Sequence, residues 1–238
     1  TVVDGALTVP GNISVSAGTL STGSGFSTNS DLILSGTGVL THPYTTASKI
    51  YRVSGSVLGS FSMNNTSSIN VTGRGFPSGY PYAYSVGYSG GQYVPSTTLG
   101  SYANNSGGSH GGRGASYNSW SGPTFDDYRN PTLPGGAGIY SNTGTGAGGG
   151  VVQLTVRGAC TVNSGTSIVA NGANTISNYD SGAGGTINLK CVSFGGSVSA
   201  GSVSASAPAS IYASGGGGRI ALISTGGAET FTGSFAYS

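Results

Sequence analysis

Three pentads in the second half of the chain share one pattern: Gly150-Val151-Val152-Gln153-Leu154, Gly185-Thr186-Ile187-Asn188-Leu189 and Gly218-Arg219-Ile220-Ala221-Leu222. They start 35 residues apart (185 − 150) and then 33 (218 − 185). Each opens on glycine and enters a segment with aliphatic residues at alternate positions, the period of a strand with one buried face. A short strand that recurs at a near-fixed period describes one supersecondary unit stacked on copies of itself. This predicts an all-β chain, a β-solenoid. Its core is expected to hold Val152, Leu154, Val156, Ile168, Ile187, Leu189, Val203, Ile220 and Leu222.

Composition agrees. Of 238 residues 46 are glycine, and only 6% are charged, against about 25% in ordinary soluble domains. Ordering glycine is costly because its unfolded backbone has so many states. Dense backbone pairing and tight turns, as in stacked coils, offset that cost. Whole-chain disorder is the bland competitor, but a net charge of +2 lacks the self-repulsion that keeps chains open. No stretch carries helical periodicity, and no run of about 18 apolar residues exists to span a membrane. No basic patch points to nucleic acid. The chain begins at Thr1, not Met, with no signal peptide. It is expected to follow a processed segment or to belong to a longer protein.

A second strand follows the first in each repeat, in Ser167–Gly172 and Ser202–Ala207, and an upstream copy lies in Ser68–Gly73. The first half therefore belongs to the same solenoid. Its further strand candidates are Ala6–Val9, Ile13–Val15, Leu32–Leu34, Ile50–Val53 and Val57–Phe61, punctuated by Gly, Asn and Ser. Between residues 73 and 149 the alternation stops. One domain, 1–238, with a 73–149 insertion leaving one corner, is the simplest organisation. Cys191 falls six residues after Gly185, as Val156 falls six after Gly150, and Cys160 shares parity with Val162. Both cysteines are expected to point inward. A disulfide between neighbouring coils, suited to an extracellular protein, and a pair of buried free thiols both satisfy that placement.

Asn70-Val71-Thr72-Gly73-Arg74-Gly75-Phe76-Pro77 resembles a strand exit of large bacterial surface proteins and phage-associated proteins. Ser109-His110-Gly111-Gly112-Arg113-Gly114 and Gly215-Gly216-Gly217-Gly218-Arg219-Ile220-Ala221-Leu222 resemble segments of the same proteins. The resemblance covers roughly residues 60–225. It implies a right-handed parallel β-helix of the pectin-lyase-like type, as in adhesin passenger domains and phage tail spikes. No enzyme motif of that superfamily maps onto this chain.

Chemistry is sparse. Asp126 and Asp127 are adjacent, whereas carboxylates that act on one glycosidic bond must converge across it. A Ser/His/Asp set drawn from His110 and Asp126 lacks a nucleophile elbow. Asp180, Lys190 and Arg219 occupy different repeat positions, which argues against a lyase set. Gly111-Gly112-Arg113-Gly114 has no aspartate for a calcium coil and no Lys-Ser/Thr for a phosphate loop. No cofactor and no metal are expected, and the glycines read as tight corners. The 73–149 segment holds nine of the 14 tyrosines and the one tryptophan. Tyrosine combines a rigid apolar face with a hydroxyl, which suits recognition surfaces. Tyr80, Tyr82, Tyr84, Tyr88, Tyr93, Trp120, Asp126, Asp127 and Tyr128 are the candidate ligand-binding residues. Packing of the segment against the solenoid wall is their competing role.

The expectation is a non-enzymatic structural or adhesive module at an extracellular, cell or virion surface, a surface adhesin or tail-fibre component. Its partner is a glycan or cell-surface receptor. A polysaccharide-degrading enzyme on the same scaffold and a self-assembling filament subunit are the alternatives.

Overall fold

The computed structural model describes residues 1–46, 48–77, 86–89, 92–95, 106–115, 123–140, 143–144, 146–174, 180–226 and 232–236. Among them there is no helix. Three sheets carry the chain, each parallel throughout. The first runs Leu7–Val9, Phe26–Thr28, Val53–Val57, Val151–Val156, Thr186–Cys191 and Arg219–Ser224 in spatial order. The second runs Ile13–Val15, Leu32–Leu34, Phe61–Met63, Ala159–Val162 and Ser193–Gly195. The third runs Val2–Val3, Thr19–Thr22, Val39–Thr41, Ser68–Asn70, Ser167–Val169, Ser197–Ser204 and Thr232–Ala236. Chain order cycles through the sheets, an arrangement compatible with a β-solenoid.

The register files side chains in columns. Val152 pairs with Ile187, and Ile187 with Ile220. In the second sheet Ile13, Leu32, Phe61, Cys160 and Phe194 are successive partners. In the third, Leu40, Ile69, Ile168 and Val203 are. All of these but Ile220, which packs against it, form one buried cluster. Each full burial of an aliphatic side chain contributes about 1.5–3 kcal/mol. Ile220 and Leu222 are only partly buried, unlike the other expected core residues. Their strand is the outermost of its sheet, with a strand partner on one side alone among the described residues.

Two expected boundaries differ. Ile50–Val53 contributes only Val53 to its strand, and Val57–Phe61 crosses a corner between two sheets. At that corner Asp31 Oδ1 accepts the Ser60 N–H at 2.8 Å. Another corner recurs after each second-sheet strand, with positive φ at Gly18, Gly36, Asn65, Gly165 and Gly196. Asn65, at φ 60°, is the non-glycine member. Cys160 and Cys191 are joined by a disulfide, with Cα atoms 5.9 Å apart.

The glycine runs are not corners. Along 181–186, successive backbone N–H groups leave towards neighbours on three sides. Ser181 and Gly184 donate to Ala213 and Gly216, and Gly182 and Gly185 to Ala173 and Ala170. Ala183 and Thr186 donate to Gly136 and Gly150. The directions repeat every third residue, the turn of an extended polyproline-II-type chain, where a strand repeats every second. Gly135 and Gly138 likewise both donate to one segment, at Gly149 and Gly146. Chains bonded on three sides must approach closely, so a side chain has no room. A Cβ on Gly148 would lie 1.8 Å from the Gly135 oxygen, and one on Gly184 would lie 1.9 Å from the Ala205 oxygen. Segments 106–114, 135–138, 146–150, 170–173, 181–185 and 213–218 build this layer, continuous with the strands that start at Val151, Thr186 and Arg219.

Candidate functional site

Segment 123–134 lies on the glycine layer and on the start of the first sheet. Arms from three strand starts hold its backbone. Arg52 Nε donates to Thr132 O at 3.1 Å. Thr186 Oγ donates to Leu133 O at 2.7 Å. Asn188 Nδ2 donates to Pro131 O and Asn130 Oδ1, each at 3.0 Å. Arg219 donates from Nε and Nη2 to Phe125 O at 3.1 and 2.8 Å. The arms come from the sheet because its strand starts are stacked in register.

Asp126 is the internal bolt. It takes a left-handed backbone conformation, φ 72°. Its Oδ2 accepts the N–H groups of Thr132 and Leu133 at 2.8 and 2.9 Å, and its Oδ1 that of Asp127 at 2.9 Å. Buried His110 places Nε2 3.4 Å from Oδ2 and Nδ1 2.9 Å from Gly184 O. The Phe125 ring lies against the imidazole, centroids 4.9 Å apart. Burial pushes the Asp126 carboxyl up, but His110 and the N–H groups of Leu133, Thr132 and Asp127 outweigh it and hold it below the ordinary carboxylate range.

The sequence-derived chemistry can be located on this frame. His110 and Asp126 do meet, but both imidazole nitrogens face acceptors, a carboxylate and a carbonyl. Neither nitrogen is left for a serine. Lys190 and Arg219 do not converge: Arg219 pairs with Thr186, four residues before Lys190, about 13 Å along the strand. Asp180 is buried beside Ala213 and shares no hydrogen-bond partner with Asp126.

Asp126, Asp127, Asn130 and Thr132 line a hollow of about 520 Å³. Asp127 Oδ1 accepts the Arg129 N–H at 2.7 Å. Tyr128 is 66% exposed, with the Arg129 guanidinium 5.1 Å from its ring centre. A second hollow crosses the first sheet over Phe26, edged by Thr8, Ser27, Ser54, Ser56, Gln153 and Thr155. Tyr88 and Tyr93 lie opposite each other in an antiparallel pair, Val86–Ser89 with Gln92–Pro95. Tyr80, Tyr82, Tyr84 and Trp120 lie outside the described residues.

Sequence reasoning passed over His42. It is fully buried where the chain resumes the stack at Gly150. Nδ1 donates to Pro43 O at 2.7 Å, and Nε2 accepts the Val151 N–H at 3.2 Å. A Cβ on Gly150 would lie 2.3 Å from Nε2, so the leading glycine of the first pentad makes room for this ring. Burial pulls the imidazole down to about 4, against the Pro43 bond. The chain has only two histidines, a scarcity that was the one signal available. No helix of the described residues is long and apolar enough to cross a membrane. No family model matches the chain, and no curated protein or solved structure matches it either.

Proposed function

We propose that this chain is an extracellular, non-enzymatic adhesive module: a right-handed parallel β-helix that serves as a stiff stalk, with the 73–149 segment inserted at one corner as its recognition surface. The observation that carries the reading is the pinned 123–134 segment. Four side chains of the stack hold its backbone, while Asp127 and Asn130 edge a hollow with exposed Tyr128 on the same short segment. A pre-ordered surface binds without the entropy cost of ordering itself. Tyrosine faces suit the C–H side of a sugar ring, and the amide and carboxylate suit its hydroxyls. A glycan at a cell or virion surface is the partner class this favours. The Cys160–Cys191 disulfide fits an oxidising compartment.

A glycan array on the intact protein tests this directly. Tyr128→Ala, Asp127→Ala, and a combined Tyr80, Tyr82, Tyr84 and Trp120 alanine variant should each weaken binding to whichever glycan is captured, about tenfold or more, with the far-UV β signal intact. Unchanged binding in all three variants rejects the surface.

A second reading, a filament subunit, is favoured by the terminal strands Leu7–Val9 and Arg219–Ser224, each paired on one side alone among the described residues. Concentration-dependent assembly with loss of glycan capture would select it.

A further inference from the structure

The hollow beside the 123–134 segment can be read atom by atom. Among the described residues it is lined by Asp126, Asp127, Asn130 and Thr132, and its volume of about 520 Å³ lies in the range of small-ligand sites. Asn188 decides how Asn130 faces it. Asn188 Nδ2 donates to Pro131 O at 3.0 Å, and a carbonyl can only accept, so the Asn188 atom there is the amide nitrogen. It also donates to Asn130 at 3.0 Å, so the Asn130 atom it meets is the acceptor Oδ1. The end of the exposed Asn130 amide that remains is Nδ2, with two hydrogens to give.

Asp127 offers the opposite polarity. Its Oδ1 accepts the Arg129 N–H at 2.7 Å, which orients the carboxylate and leaves Oδ2 as the open acceptor. Asp126 adds none, since both of its oxygens already accept backbone N–H groups. Its charge is also met by His110 at 3.4 Å and by the field of Arg52. The charge that a ligand meets is therefore that of Asp127, which forms no ion pair among the described residues. No cationic side chain is among the described lining residues. Arg129 places its guanidinium over Tyr128, 5.1 Å from the ring centre. A carboxylate or phosphate on a sugar would meet like charge at Asp127, which opposes binding. A sugar hydroxyl both donates and accepts, as Asp127 Oδ2 and Asn130 Nδ2 require.

On the adhesive reading of this surface, we propose that the hollow selects uncharged sugars: Asp127 Oδ2 accepts one hydroxyl, Asn130 Nδ2 donates to another, and acidic glycans are rejected. Tyr128, between them in sequence and exposed, supplies the apolar face.

The test is a glycan array printed as matched pairs, each glycan with and without its acidic group: sialylated against desialylated, uronate against its methyl ester. The uncharged member should be captured at least about tenfold more tightly. Its binding should change less than about twofold between roughly 50 and 500 mM NaCl. Asn130→Asp keeps an oxygen for Asn188 but removes the donor, so capture of the uncharged member should fall about tenfold or more. Asp127→Asn keeps an acceptor for the Arg129 N–H but removes the charge, so the preference over the acidic member should shrink to within about threefold. Should either variant misfold, the matched pairs and the salt series on the wild type decide. Equal capture of both members, or a preference for the acidic one that is lost in Arg129→Gln, would overturn the proposal and leave the adhesive reading standing. So would undiminished capture by Asn130→Asp, or a preference that survives Asp127→Asn. Capture of no glycan at all would reject the adhesive reading, and this selectivity with it.

Discussion

His42 shows how much one side chain does where two distant parts of the chain meet. Its ring bridges Pro43 O and the Val151 N–H, 109 residues away in sequence. Protonation would put a hydrogen on Nε2, where the Val151 N–H already points. The folded state therefore binds fewer protons at this ring than the unfolded chain between the ordinary value of 6.5 and about 4. Stability from His42 is complete above the upper limit and is lost as pH falls towards the lower one, up to about 3 kcal/mol. Asp180 is shifted the opposite way, so its contribution weakens as pH rises through about 6. Comparing the wild type with His42→Gln removes it, since Asp180 titrates in both. The stability difference, wild type minus variant, should grow from pH 4 to 6.5 in urea titrations. A difference that stays flat across that window contradicts the bond pattern assigned to His42.

At the scale of elements, the stack and the glycine layer obey different periods. The stack was legible in the sequence because Val152, Leu154 and Val156, then Ile187 and Leu189, put an apolar residue at every second position. The first coils were harder to read. They are shorter, with Ile13 and Leu32 as partners only 19 residues apart (32 − 13). Their inward positions also include buried Thr22, Thr28 and Thr41, so alternation fades although burial does not. Strands Thr19–Thr22, Phe26–Thr28 and Val39–Thr41 went unseen for that reason. The glycine layer was illegible because its threefold period resides in the directions of backbone N–H groups, which no side chain marks. The pinned site was half legible: His110 and Asp126 stand out by chemistry, but Arg52, Thr186, Asn188 and Arg219 converge only after the coils stack. The layer makes its own prediction. Gly184→Ala and Gly148→Ala drive a methyl into fixed backbone and should each cost more than about 3 kcal/mol in chemical denaturation. Gly11→Ala, with no atom within 4 Å of its Cβ position, should stay within about 0.5 kcal/mol of wild type. Equal tolerance at all three sites would mean the segments are not packed as described.

The molecule as a whole joins two frameworks end to end. Parallel strands bury aliphatic columns, and the same chains continue upstream of Val151, Thr186 and Arg219 as glycine segments bonded on three sides. A disulfide ties two consecutive coils together, and the 123–134 segment is fastened where the frameworks meet. Rigidity at that junction is what the adhesive reading needs, and it depends on the glycine segments being hydrogen-bonded structure. Native-state amide hydrogen exchange, resolved by NMR at pH 7, tests this most directly. The account predicts that the N–H groups of Gly136, Gly149, Gly184 and Gly216, each with a backbone acceptor within 3.1 Å, exchange as slowly as those of Ile187 and Leu189 in the core strand. Exchange of these glycines at open-chain rates, while the strand amides stay protected, would contradict it.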